Sequence, residues 1–355
     1  MSKYINDKIA SIEAYVPGEQ PRDKKYVKLN TNECPFPPSP YAMRLARQAA
    51  GDLNLYCDPE CGALVSVAAE YYGVKKENIL FTNGSDEILN FAFIAFCDKD
   101  TPAVFPDITY GFYPVFADLN GVPYREIPLC ADFSVDPKDY YAAGGTIFLA
   151  NPNAPTGRIL SVDEIEDILK NNADNVVVVD EAYVDFGDVE SALSLIDKYD
   201  NILVTRTFSK SRSLAGARLG MGFASENLIA ALKKVKYSTN PYNVNSMTAA
   251  AGVGAILDEE YFRNNVKVIR ENRDYLTKKL SECGFEVYPS SANFVLASSK
   301  AITGKDYYLA LKERGVLVRY FDKPRLQSCV RITVGTKEEL DALIAATMDI
   351  REAKK

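Results

Sequence analysis

Four short segments hold side chains whose types and spacing could do chemistry together. Thr207-Phe208-Ser209-Lys210 follows the apolar run of residues 201–206, and Arg218 stands shortly beyond it. A lysine that is desolvated or set beside another cation can serve as a base or as a nucleophilic amine. Asp180-Glu181-Ala182-Tyr183 closes another apolar run, residues 175–180. A carboxylate at the end of a buried strand is costly unless something cationic meets it. Asn83-Gly84-Ser85-Asp86-Glu87 opens a helical stretch. Free backbone N–H groups and the helix dipole make such a terminus an anion site. Asn151-Pro152-Asn153-Ala154-Pro155-Thr156-Gly157 follows the run of residues 146–150, its prolines and glycine stiffening the loop. Taken singly, each segment also has a plain structural reading: a helix N-cap, a strand-to-helix turn, a capping aspartate, a solvated lysine.

Composition narrows the chemistry. The chain has 355 residues and no histidine. That excludes a Ser-His-Asp triad, a Cys-His pair and a His-ligated metal. Acid–base work falls to Lys, Tyr, Asp, Glu, Cys or a cofactor. The seven cysteines are scattered, and Cys57 and Cys61 form one CxxxC with no second pair. No metal site is expected, and the thiols read as free in a reduced, cytoplasmic setting. A net charge of −7 argues against a nucleic-acid partner. The N-terminal run MSKYINDKIASIEAYV has no continuous apolar core and is not read as a signal peptide. The longest apolar run, residues 91–97, is too short to cross a bilayer, so no membrane partner is expected. Considered together, the four segments converge. They supply a lysine, a strand-closing aspartate about thirty residues earlier, a helix terminus for phosphate and a nearby arginine. These are the parts of a pyridoxal 5'-phosphate site, in which a lysine carries the cofactor and an aspartate pairs with its ring nitrogen.

From these residues the resemblance becomes specific. KLNTNECPFPPSP, NGSDEIL, NPNAPTG, VVVDEAYVDF, RTFSKSRSLAGARLG, PYNVN and VRITVGT occur in that order between residues 28 and 336. The chain resembles the histidinol-phosphate aminotransferase family of fold-type I pyridoxal-phosphate enzymes. That resemblance implies exchange of an amino group between L-histidinol phosphate and 2-oxoglutarate, in histidine biosynthesis. It also implies a homodimer with shared active sites, acting on a small-molecule amino donor and a 2-oxo acid. Rival readings are an aromatic amino acid aminotransferase, a threonine-phosphate decarboxylase and, in a different class, a non-catalytic pyridoxal-phosphate-binding regulator. The resemblance makes Lys210 the cofactor-bearing catalytic lysine, Asp180 the partner of the ring nitrogen and Tyr183 the donor to the phenolic oxygen. Tyr110 matches the ring that stacks on the cofactor. The backbone of Ser85 and Asp86, the hydroxyls of Thr207 and Ser209, and Arg218 match the phosphate site. Tyr56 matches a tyrosine that reaches the neighbouring subunit's phosphate. Arg331 matches the receptor of the α-carboxylate, and Arg319 a second arginine near the substrate's distal group. Tyr15 corresponds to a tyrosine contacting substrate from the partner subunit. Two positions depart from the family pattern. Ala154 stands where the family has an asparagine bonded to the phenolic oxygen, with Asn153 one residue early as a substitute. Arg212, two residues beyond the lysine, is read as solvated.

The elements that must position these residues follow from periodicity. Residues 103–105, 146–150, 175–180 and 201–206 read as strands apolar on both faces, as in a parallel sheet covered by helices. Helical patterns at 85–97 and 162–171 alternate with them, which predicts a doubly wound α/β domain. The first forty residues are irregular, with a polyproline-like connector at 35–40. Past residue 240 a charged helical stretch, 259–283, leads to the short runs FEVY, NFVLA, VLVR and VRITV. Helices at 305–314 and 337–351 interleave with these runs, giving a smaller α+β layer. The expected division is an N-terminal segment, 1–38, packed on the small domain; a large pyridoxal-phosphate-binding domain, 39–260, with a mostly parallel sheet; and a small C-terminal domain, 261–355.

Overall fold

The computed structural model describes residues 4–353. Residues 1–3 and 354–355, the outer ends of the first and last expected divisions, lie outside the described residues. An N-terminal arm carries helix α1 (Asp7–Ser11) and strand β1 (Val27–Lys28). Helix α2 (Pro40–Ala49) begins on the last proline of the expected connector, with Ser39 as N-cap. Proline is pre-organised for a first helical turn, so the proline run ends by starting a helix. Helix α3 (Gly62–Tyr72) follows.

The main body is a seven-stranded sheet of β2 (Ile79–Thr82), β3 (Ala103–Pro106), β4 (Tyr124–Ile127), β5 (Thr146–Ala150), β6 (Val177–Asp180), β7 (Ile202–Thr207) and β8 (Gly220–Ala224). Its order is β2-β8-β7-β6-β5-β3-β4, and only the β8 pairings are antiparallel. Alternate residues of one strand feed two cores. Val177 and Val179 pack on one face with Ile147, Leu149 and Val204, while Val178 packs on the other with Phe148 and Leu203. Helices α4 (Ser85–Phe96), α5 (Phe112–Asn120), α6 (Val162–Lys170), α7 (Glu226–Thr239) and α8 (Ser246–Leu257) complete this body. Helix α6 starts at a reciprocal Ser161–Glu164 capping box, which satisfies two terminal N–H groups.

Helix α9 (Glu259–Glu282) leads into an antiparallel sheet of β9 (Glu286–Val287), β10 (Phe294–Ser298), β12 (Arg319–Tyr320) and β13 (Cys329–Thr333). Helix α10 (Gly304–Glu313), strand β11 (Val316–Leu317) and helix α11 (Lys337–Glu352) pack with it around a third core that includes Phe294, Ile332 and Leu340. The run expected as one strand, VLVR, divides. Val316–Leu317 pairs in parallel with β1 of the N-terminal arm, whereas Arg319–Tyr320 joins β13. The arm is also tied to this layer by Lys24 Nζ on Glu313 O (3.0 Å) and by Glu19 bonded to Tyr308 and Lys312. Among the described residues no helix is long and apolar enough to cross a membrane.

Candidate active site

Ligand sites of open α/β sheets lie beyond the carboxyl ends of the strands. Two adjoining cavities, of about 260 and 560 Å³, lie there and share Thr31, Tyr110, Ala154, Tyr183 and Lys210 as walls. Lys210 sits three residues past β7, in the loop that turns back into β8. Thr207 and Gly220, the ends of that loop, are register partners. The loop therefore leaves and re-enters the sheet at one point, bringing Ser209, Lys210 and Arg218 together over the edge. Lys210 Nζ lies 3.5 Å from the carbonyl oxygen of Thr31 and 5.6 Å from the centre of the Tyr183 ring.

Asp180, the last residue of β6, is 5 % exposed. Burial pushes its carboxyl up to about 7. The Thr205 hydroxyl, donating to Oδ1 at 3.1 Å, and the Ala182 backbone act against that rise. Its bonded company is neutral, so the ionised form lacks the cation that would stabilise it.

The other end of the smaller cavity is built for an anion. Gly84 (φ 82°) turns the chain from β2 into α4, and Ser85 and Asp86 head that helix. Arg218 places Nη2 3.1 Å from Asp86 Oδ2 and Nη1 3.4 Å from Ser209 Oγ. Thr207 Oγ1 donates to Ser209 Oγ at 3.0 Å. Tyr110 Oη donates to Asp86 Oδ1 at 2.6 Å, and burial, followed by that carboxylate, holds its phenol well above the ordinary range. These residues fit the cofactor implied by the resemblance. A buried carboxylate without a cation suits a protonated ring nitrogen. Helix-terminal N–H groups, two hydroxyls and a guanidinium suit a phosphate. The space is kept open by glycine, because a β-carbon at Gly84 would meet Arg218 Nη2 at 2.5 Å.

The larger cavity carries two arginines. Arg331, on β13, donates from Nη2 to Asn30 O at 3.1 Å and packs between the rings of Phe294 and Phe321. Burial lowers its pKa, a cost that an incoming carboxylate offsets. Its Nε, together with Asn30 Oδ1 and Thr31 Oγ1, is buried without a hydrogen-bond partner among the described residues. Arg319 donates to Val16 O (3.0 Å) and Pro17 O (3.2 Å), so its guanidinium also fastens the N-terminal arm over the cavity.

The structure thus brings Lys210, Asp180, Tyr183, Tyr110, Ser85, Asp86, Thr207, Ser209 and Arg218 around one cavity, with Arg331, Arg319 and Tyr15 around its neighbour. Tyr15 lines the larger cavity of its own chain, stacked on Phe112 at 4.2 Å. Tyr56 lines neither cavity; it is 85 % exposed and stacks on Tyr242 at 4.7 Å. Asn153 is also outside the walls. Its Nδ2 donates to Ile108 O and Thr156 Oγ1, and its Oδ1 accepts from Thr109, so the side chain is used in holding the loop. Arg212 corrects the reading as a solvated residue. It is buried, its guanidinium 4.1 Å from the Phe262 ring centre and 5.1 Å from that of Tyr71, with Nη1 on Ala255 O. Aromatic faces and a carbonyl take the place of water there. Sequence reasoning assigned no role to Asn30, Thr31 or Asn32. Their only sequence signal was membership of the KLNTNECPFPPSP run.

Comparison with known proteins places the chain in a family and a fold. The family model described as aminotransferase class I and II matches residues 24–346. The histidinol-phosphate aminotransferase of Brachyspira hyodysenteriae is 48% identical over 345 residues, covering 97% of this chain and 98% of that one. That of Clostridium botulinum is 45% identical over 342 residues, covering 96% of each. The crystal structure of histidinol-phosphate aminotransferase from Sinorhizobium meliloti in complex with pyridoxal-5'-phosphate superimposes with a TM-score of 0.90. It covers 100% of this chain and 99% of that one at 24% identity, and at that distance the likeness speaks for the fold.

Proposed function

The chain belongs to the class I and II aminotransferases, and from that premise we propose that it transaminates L-histidinol phosphate with 2-oxoglutarate. The products are imidazole-acetol phosphate and L-glutamate, in histidine biosynthesis. The observation that carries the reading is the convergence of Lys210, Asp180 and Arg218 on one cavity at the sheet edge. The choice of amino donor is supported by near-full-length identity to proteins of that activity.

Pyridoxal 5'-phosphate, when bound, supplies an electron sink for the pair released at the amino donor's α-carbon. Lys210 would hold it covalently through Nζ and, once freed, carry the proton that leaves and rejoins carbon. Asp180, buried and poised near neutrality, would pair with the ring nitrogen and keep it protonated. Tyr183 would donate from Oη to the phenolic oxygen, and Tyr110 would cover one face of the ring. Ser85, Asp86, Thr207, Ser209 and Arg218 would hold the phosphate. Arg331 would receive the carboxylate of glutamate as a two-pronged donor, with Arg319 and Tyr15 at the far end of the substrate. Asn153 has no free donor for the phenolic oxygen, so that contact falls to Tyr183.

The enzyme is read as a cytoplasmic homodimer acting on small molecules, with no nucleic-acid or membrane partner. Support for shared sites comes from Tyr56, which is exposed, stacked on a second exposed tyrosine and absent from the cavities of its own chain.

The test is a single-turnover absorbance measurement on the holoenzyme with L-glutamate, followed by a panel of amino donors compared by kcat/KM. Conversion of the bound cofactor to its amine form without added oxo acid is expected, with histidinol phosphate the best donor. A preference for aromatic amino acids, or release of carbon dioxide from threonine phosphate, would replace the substrate. No conversion with any donor would remove the activity altogether.

A further inference from the structure

Three consecutive residues of the N-terminal segment each touch a different residue of the site. Asn30 O accepts from Arg331, Thr31 O faces Lys210, and Asn32 Nδ2 donates to Tyr183 Oη at 3.0 Å. The last contact is side chain to side chain and carries a direction. Asn32 is 2 % exposed, and its backbone has φ 55°, a left-handed conformation that asparagine tolerates better than most residues.

The orientation of the Asn32 amide is set by Thr333. Thr333 Oγ1 accepts from the Asn32 backbone N–H at 2.9 Å and donates its own proton to Asn32 Oδ1 at 3.1 Å. With the amide oxygen occupied, the NH2 group is the end that faces Tyr183. Asn293, wholly buried, donates to Asn32 O at 3.0 Å and fixes the backbone of the same residue. The Tyr183 ring is held edge-on to Phe294 at 5.1 Å.

We propose that Asn32 is a positioning residue whose amide, by donating to the Tyr183 oxygen, leaves the Tyr183 proton free to point into the cavity. A tyrosine hydroxyl has one proton. Were Asn32 turned the other way, its oxygen would capture that proton and the site would lose its donor. The proposal deepens the reading of Tyr183 as the donor to the cofactor's phenolic oxygen, and rests on it. It assigns to Asn32, Thr333 and Asn293 a task beyond packing: selecting which way one hydroxyl donates.

The experiment is a spectral pH titration of the bound cofactor in the holoenzyme. A hydrogen bond to the phenolic oxygen favours its deprotonated form and lowers the titration midpoint. Tyr183→Phe should therefore raise the midpoint, by roughly 0.4–1.1 pH units for one neutral bond. Asn32→Gly keeps the left-handed backbone accessible and removes the amide, and should raise the midpoint in the same direction by no more than Tyr183→Phe does. In a Tyr183→Phe background Asn32→Gly should then do nothing, because the two act through one proton. Should Asn32→Gly fold poorly, Thr333→Val makes the same test by releasing the amide from its orienting hydroxyl. A midpoint unmoved by either variant, or moved equally with and without the tyrosine hydroxyl, would overturn the role of Asn32 while leaving that of Tyr183. A midpoint unmoved by Tyr183→Phe itself would overturn the reading on which the proposal rests, and the proposal with it.

Discussion

Arg218 lies so closely across Gly84 that a β-carbon on the glycine would meet its Nη2 at 2.5 Å. The glycine also holds φ 82°, where an L side chain is strained. One residue therefore provides both the turn into α4 and the seat of the guanidinium. Gly84→Ala should displace Arg218 and weaken retention of pyridoxal phosphate by about 10- to 150-fold, the equivalent of a charge-assisted bond of about 1.5–3 kcal/mol. Titration of the cofactor into apoprotein measures this. Unchanged retention would place the anion site elsewhere.

Asp180 makes the apoprotein pH-sensitive. Its carboxyl, raised by burial to about 7, binds its proton more tightly in the folded chain than in the unfolded one. Folding then gains from protonation at acid pH, and that gain is lost as pH rises through the folded value. Between pH 5 and pH 8 the loss is roughly 2–3 kcal/mol. Asp180→Asn cannot lose it. Urea midpoints of the two apoproteins should diverge in favour of the variant as pH rises, and parallel curves would show that Asp180 keeps an ordinary acidity.

Arg331→Ala should raise the KM for glutamate by about tenfold or more through loss of a charge-assisted pair. Cofactor retention should change little, since Arg331 lines the larger cavity and not the smaller. Equal losses of cofactor and substrate would make this arginine a structural strut between β13 and Asn30.

Tyr56→Phe should loosen the cofactor if the hydroxyl reaches a phosphate across a subunit boundary. Mixed with Lys210→Ala chains, it should then give heterodimers with one intact site, and activity above the mean of the two parents. Strictly additive activity after subunit exchange would confine Tyr56 to its own chain.

Ala154, buried in the wall of both cavities, cannot donate to the phenolic oxygen. Asn153 beside it is already committed to Ile108 and Thr156. Ala154→Asn should supply a second donor and lower the cofactor's spectral midpoint by roughly 0.4–1.1 pH units. An unchanged titration with cofactor fully bound would mean that the site already contains that bond.

The parts of this site that were readable in the sequence are those fixed by local pattern. Asp180 and Lys210 follow apolar runs that could hardly be anything but buried strands, and Ser85 heads a helix announced by its glycine and acidic first turn. Strand β4 was silent because only Ile127 of its four residues is buried, so no apolar run marks it. VLVR read as one strand because periodicity cannot show that Val318 separates pairings to two different sheets. Arg212 read as solvated because nothing near it in sequence foretells Tyr71 and Phe262. The roles of residues 30–32 were invisible for the same reason, since each depends on a partner far along the chain.

That distance has a consequence for how the enzyme comes into being. Asn32 and Thr333 are 301 positions apart. A chain growing from its N-terminus holds residues 30–32 long before the ribosome has supplied Lys210, and longer still before Arg331 and Thr333 exist. The main sheet and the helices that complete its two cores end at Leu257, so all of that body is made before the residues of the smaller layer. The larger cavity must wait longer, because its walls run from Glu13 to Arg331 and so are made at opposite ends of synthesis. The cofactor cavity, walled by residues from Thr31 to Arg218, thus has its parts earlier in synthesis than the cavity that holds Arg331, and readiness to receive a substrate carboxylate comes last.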